Sequence, residues 1–182
     1  KVLRDRRRGI PALWCRRGGR LLFGEDERGS ALLPEHLMLM VALELIEGGQ
    51  NYLALPWDAP AAAATLMEAL GAQPAPQEKS NVLAQEQPAL RDGIFAACLL
   101  CRRLGRTGER LGELSRRVPT FGVFRGELPL EGSRGDLMEE LARLWPQADP
   151  AREGLRLHLS GGWAWIRPAA TSPLLKVRTE GD

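Results

Sequence analysis

The segment of this sequence best equipped for chemistry is Gly162-Trp163-Ala164-Trp165-Ile166-Arg167-Pro168-Ala169-Ala170-Thr171-Ser172-Pro173-Leu174-Leu175-Lys176-Val177. Its pattern predicts a strand that delivers Arg167 into a proline-containing loop with the Thr171 hydroxyl. A second strand then leaves, carrying Lys176 and Arg178. A planar guanidinium, a hydroxyl and turn backbone N–H groups are the donors a phosphate takes. The plain alternative is a strand connection whose arginine faces solvent. Other candidates carry less. Cys98 and Cys101 share a predicted helix, with no second Cys or His pair at zinc-ligand spacing, and are expected to pack in the core. His36 and His158 are isolated and have no Ser, Cys or acid in triad order, which leaves nucleophilic catalysis unsupported. Gly24-Glu25-Asp26-Glu27-Arg28-Gly29 reads as a charged loop, and Trp57 beside Asp58 as a packing residue after a strand.

Charge is unevenly placed. Lys1, Arg4, Arg6, Arg7, Arg8, Arg16, Arg17 and Arg20 face only Asp5 in the first twenty residues, whereas the whole chain has a formal net charge of +2. Such a cluster can hold phosphate or nucleic acid. It lacks interleaved aromatic residues, so a solvated face or severed linker is expected there, and nucleic acid is not an expected partner. The 182 residues are 44% hydrophobic and 26% charged, a globular composition that excludes collagen-like, fully disordered and disulfide-scaffold classes. Three cysteines make no disulfide framework. No apolar run reaches the roughly 18 to 20 residues needed to span a bilayer, and no signal-peptide pattern is present, so a cytoplasmic location is expected. The chain begins at Lys1 rather than Met, which reads as a piece of a longer protein.

The elements that would position these residues are legible in outline. Leu13–Cys15 and Leu21–Phe23 flank Gly18-Gly19 and predict a hairpin. Pro34 opens a helix through Ile46 that is apolar nearly all round and therefore buried. A strand over Asn51–Pro56 follows, then Asp58 as the cap of a helix over Ala61–Leu70. Gln73–Leu90 reads as loop with a short strand near Asn81–Leu83. Asp92-Gly93 leads into a helix over Ile94–Leu104, interrupted by Gly105–Gly108 and resumed over Leu111–Val118. A strand over Thr120–Leu130, an amphipathic helix over Asp136–Trp145 and strands at Leu155–Leu159, Trp163–Ile166 and Leu174–Val177 complete the chain. The fold class is thus an α/β protein: a basic lead-in over 1–9, a three-layer α/β domain over 10–118, and a small α+β domain with an antiparallel sheet over 119–182.

The final loop resembles the C-terminal phosphate-binding loop of the α-D-phosphohexomutases, the phosphoglucomutase and phosphomannomutase family. Arg167, Pro168, Thr171, Pro173, Leu175 and Val177 match that family's pattern, while Ala169, Ala170 and Ser172 stand where it has Ser, Gly or Asn, and Glu. Upstream, the helix from Pro34, the strand, Asp58-Ala59-Pro60, the helix to Gly71 and Asp92-Gly93 resemble the third domain of the same family, in the same order. The resemblance implies a C-terminal half, the third and fourth domains, that binds hexose phosphate through Arg167 and Thr171, with Lys176 and Arg178 as weaker supports. It also implies lost chemistry. The family's nucleophile lies in a domain outside this sequence, and its Mg²⁺ loop falls near Arg6, Arg8 and Ile10, which offer no carboxylate oxygen. No metal or other cofactor is therefore expected in this chain, no mutase turnover is expected from it alone, and its partners would be the missing N-terminal domains. A degenerate region of this kind is also similar to that following the transferase domain of bacterial sugar-1-phosphate nucleotidyltransferases of the mannose-1-phosphate guanylyltransferase type. That likeness implies a non-catalytic assembly or regulatory module as the alternative.

Overall fold

A computed structural model describes residues 9–16, 18–56, 58–151, 154–160 and 162–181. Trp57, Arg17 and the arginines before Gly9 lie outside the described residues, and with them the expected basic lead-in. The chain forms two compact units, Lys1–Thr120 and Phe121–Asp182.

The first unit opens with a hairpin of β1 (Ala12–Arg16) and β2 (Leu21–Glu25), to which β3 (Ala31–Leu32) adds a short third strand. Gly18 and Gly19 turn it with φ of 65° and 90°, conformations that only glycine adopts without strain. Helix α1 (Pro34–Glu47) starts on Pro34 at its first turn, where the missing N–H costs nothing. Leu37, Leu39, Met40, Val41 and Leu43 are all buried, on every side of the helix. The strand that follows, β4 (Tyr52–Leu53), is shorter than the predicted Asn51–Pro56 and pairs in parallel with β5 (Gln73–Pro74) across helix α2 (Ala62–Ala69). On the other side of β4 no strand is needed: the buried Gln87 amide accepts from Ala54 N–H at 2.9 Å and donates to Tyr52 O at 2.7 Å. A side-chain amide offers the same donor and acceptor as a peptide group, so Gln87 stands in for a neighbouring strand.

Several local expectations change. Asp58 does not cap α2, whose first turn follows Ala61 with no side-chain cap. The strand expected near Asn81–Leu83 is a helix, α3 (Ser80–Glu86), followed by a single 3-10 turn at Pro88–Leu90. Helix α4 (Gly93–Thr107) runs through Gly105 and stops at Gly108, which takes the left-handed conformation at φ 70°. Asp92 caps it, accepting from Ile94 N–H at 2.8 Å and Phe95 N–H at 3.1 Å. Cys98 and Cys101, expected in the core, are exposed on α4. The acidic loop after β2 is structural. Asp26 accepts from the N–H groups of Arg28 and Ser30, and Glu27 from those of Leu111 and Gly112 at the start of α5 (Leu111–Ser115).

The second unit is a five-stranded antiparallel sheet in the order β6-β10-β9-β8-β7, with helix α6 (Arg134–Leu144) packed on β8. The strands are β6 (Gly122–Pro129), β7 (Asp149–Ala151), β8 (Gly154–Leu159), β9 (Gly162–Pro168) and β10 (Leu174–Gly181). Of these, β7 was not anticipated. Mixed helix and antiparallel sheet agree with the class read from the sequence. Among the described residues no helix is long and apolar enough to cross a membrane.

Candidate functional site

The loop singled out by residue type joins β9 to β10. Its register is fixed by pairing Leu175 with Pro168, Lys176 with Arg167 and Arg178 with Trp165, closed by Ala169 N–H to Leu174 O at 2.7 Å. Directly opposed residues in an antiparallel ladder share a face. Arg167 and Lys176 therefore stand side by side at the mouth of the loop. Thr171 is exposed at its tip. Arg178 sits one like-facing position further along β10, about 7 Å away at the usual strand rise, and is buried. The structure thus brings Arg167, Lys176 and Thr171 to one end of the sheet and leaves Arg178 within it.

The guanidiniums on this face stack on indoles. Arg167 lies 4.8 Å from the Trp165 ring centre, Arg156 4.3 Å and Arg178 5.4 Å from that of Trp163. Stacking uses the flat face of a guanidinium and leaves its N–H edges for hydrogen bonds. Lys176 forms an ion pair with Glu127 at 3.6 Å, which draws part of its charge toward β6.

One residue of the site escaped the sequence reading. Arg134, in the first turn of α6, donates to Ala170 O at 3.0 Å and to Ser172 O at 3.2 Å. Two loop carbonyls are thereby held toward α6, while Leu130 N–H holds Pro173 O at 2.9 Å. Nothing local marks Arg134, because its partners lie 36 and 38 residues away. Ala169, in the place of the family's serine, is buried and brings no hydroxyl.

Elsewhere several polar groups serve the fold. A cleft of about 250 Å³ in the first unit is bounded by Arg20, Met38, Asp58, Arg91 and Asp92. There Asp92 caps α4, and Arg91 donates to Leu55 O at 3.3 Å. His158 shares a 2.7 Å hydrogen bond with Asp149. Burial lowers the pKa of His36 and favours its neutral form. Among the described residues no three His, Cys, Asp or Glu side chains come together as a cation site.

The chain matches curated proteins along about half of its length or more. It is 27% identical over 94 residues to the phosphoglucosamine mutase of Methanocaldococcus jannaschii, covering 49% of this chain and 21% of that one. The probable phosphoglucosamine mutase of Methanopyrus kandleri is 31% identical over 98 residues, 50% of this chain and 21% of its own. That of Methanosarcina acetivorans is 25% identical over 158 residues, 85% of this chain and 35% of its own. Its relatives are phosphohexomutases. The fold agrees: a crystal structure of a phosphoglucomutase/phosphomannomutase family protein from Burkholderia thailandensis superposes with a TM-score of 0.64 at 18% identity, covering 94% of this chain and 42% of that one. No family model matches the chain. The matched part therefore spans from about a fifth to about a third of these curated relatives' length.

Proposed function

We propose that this chain is the C-terminal part of a phosphohexomutase-like protein of sugar-phosphate metabolism, and that its β9–β10 loop binds the phosphate of a hexose phosphate. Arg167 and Thr171 make the direct contacts in this reading. Lys176 adds charge at the loop mouth, and Arg178 adds to the positive field from within the sheet. The observation that carries it is the pairing of Arg167 with Lys176 beside a loop whose carbonyls Arg134 draws away, leaving Thr171 exposed at the tip. A dianion placed there meets two cations and a hydroxyl. The chain alone is a binding unit without turnover, since the nucleophile and metal loop of the family have no counterpart in it.

Titration calorimetry of the full chain with mannose and glucose phosphates tests this. Binding by the intact protein, weakened about 10- to 100-fold in Arg167→Ala, is expected from loss of charged hydrogen bonds. No binding by the folded chain, or equal binding by Arg167→Ala, would refute it. The buried Ala169 in the serine position favours a second reading, a non-catalytic module of a sugar-1-phosphate nucleotidyltransferase, which the first of those outcomes would leave standing.

A further inference from the structure

Strand β6 is an eight-residue edge, and among the described residues no strand pairs with its outer side. An edge of that length offers a row of N–H and C=O groups to another strand. Leu130 N–H bonds to Pro173 O toward β10, so the alternation of an antiparallel ladder turns the backbone groups of Val123, Arg125, Glu127 and Pro129 outward. Pro129, which has no N–H, is placed where none is used by β10. The side chains alternate as well. Phe124 and Leu128 lie on one face and are 61% and 55% exposed, while Arg125 and Glu127 lie on the other.

The run Phe124-Arg125-Gly126-Glu127-Leu128 is symmetric in its chemistry: apolar, positive, glycine, negative, apolar. We propose that β6 pairs antiparallel with β6 of a second copy of this chain, in register about Gly126, and so joins two C-terminal sheets into one. In that register Arg125 faces the partner's Glu127, and the two exchange main-chain hydrogen bonds. Phe124 faces the partner's Leu128. The two glycines meet on the axis as a pair without mutual hydrogen bonds, where Cα atoms approach to about 4.5 Å. Glycine leaves room there for the Phe124 ring, which lies 2.9 Å from the place a Cβ on residue 126 would take.

Charge selects this register over its neighbours. A shift of two residues in either direction sets Arg125 against the partner's Arg125 or Glu127 against the partner's Glu127. A shift of one puts apolar side chains on the charged face. Charges on an edge strand ordinarily repel a second strand. Here their opposite signs, symmetric about Gly126, turn that repulsion into attraction in one arrangement, an isologous two-fold contact. Glu127 remains 55% exposed beside Lys176, within reach of a partner.

Sedimentation equilibrium of the full chain decides it. The 20.0 kDa protein should sediment as a dimer, with Arg125→Glu and Glu127→Arg each raising the dissociation constant about tenfold or more. The double exchange Arg125→Glu/Glu127→Arg restores the complementary pattern and should bring the constant back to within about threefold of the original. A wild-type chain that stays monomeric at about 100 µM would overturn the proposal. So would single reversals that leave the dimer intact, or a double exchange that fails to restore it while circular dichroism shows the protein folded.

Discussion

Arg103 is a buried cation whose removal has a calculable cost. Its side chain is 3% exposed, and its Nη1 donates at 2.7 Å both to Glu44, itself 5% exposed, and to Glu47. Its Nε and Nη2 donate to Glu109 at 3.2 and 3.1 Å. Replacing Arg103 with Met keeps much of the volume and strips Glu44 of its buried partner. Breaking such a pair by removing one charge costs about 3–5 kcal/mol. Arg106, 3.0 Å from Glu44 but 63% exposed, still neutralises part of the orphaned carboxylate. The loss should therefore fall near the lower end, about 3 kcal/mol. Arg106→Met removes only a solvent-exposed partner and should cost at most about 1 kcal/mol. Urea unfolding followed by helical circular dichroism at neutral pH measures both. Adding Glu44→Leu to Arg103→Met should recover part of the loss, since the charge left behind is what destabilises. A change below about 0.5 kcal/mol in Arg103→Met, or an equal loss in Arg106→Met, would refute this reasoning.

The same network gives a pH dependence. Burial alone would raise the Glu47 carboxyl, but hydrogen bonds from Arg103 and Arg117 outweigh it and hold the group below its ordinary 4.5. A depressed carboxylate stabilises the fold above the unfolded value and loses that stabilisation as pH falls through the folded one. Urea midpoints should thus decline below about pH 4.5, and less steeply in Arg117→Met, where one of the two donors is gone. In Gly93→Ala the new Cβ would lie 2.7 Å from Gly19 O and 3.0 Å from the backbone of Leu21 and Leu22, displacing the hairpin at about 1–3 kcal/mol in urea melts. Gly105→Ala, with nothing within 4 Å, should instead stabilise α4 by about 0.5–1 kcal/mol. Arg134→Ala frees the carbonyls of Ala170 and Ser172, and hexose-phosphate affinity by calorimetry should fall about 3- to 10-fold while the melt shifts by less than about 1 kcal/mol.

What the sequence discloses here is what short-range pattern can encode. The Gly18-Gly19 hairpin, the largely apolar α1 and the start of α4 just after Asp92 are each set by neighbouring residues, and each appears as read. Alternation over Leu155–Leu159 likewise locates β8. Failures occur where distant contacts decide. The Asn81–Leu83 stretch has two apolar residues, too few to separate strand from helix, and it folds as α3. Gly105 does not break α4, because a single glycine costs about 1 kcal/mol and the helix is anchored on both sides of it. Arg103 looks like one more solvated arginine beside Arg102 and Arg106, until α1 supplies its carboxylates. At the candidate site the residue types of Arg167, Lys176 and Thr171 were readable and their register was not, and Arg134 entered only through the fold.

Helix α1 touches β2, α2, the turn at Pro88–Leu90, α4 and α5, elements that begin at Leu21 and end at Ser115. Its buried side chains need these neighbours, and its Glu44 and Glu47 need Arg103 of α4, so the helix is fully satisfied only once all of them are in place. The core of the first unit is therefore completed only by Leu111 and Leu114 of α5. A chain cut before Glu109 would lose Leu111 and Leu114 from the core and leave Arg103 without its Glu109 partner. Synthesis from the N-terminus must thus hold the most apolar helix of the unit unsatisfied until α5 has emerged, a window in which the nascent chain depends on protection from other chains.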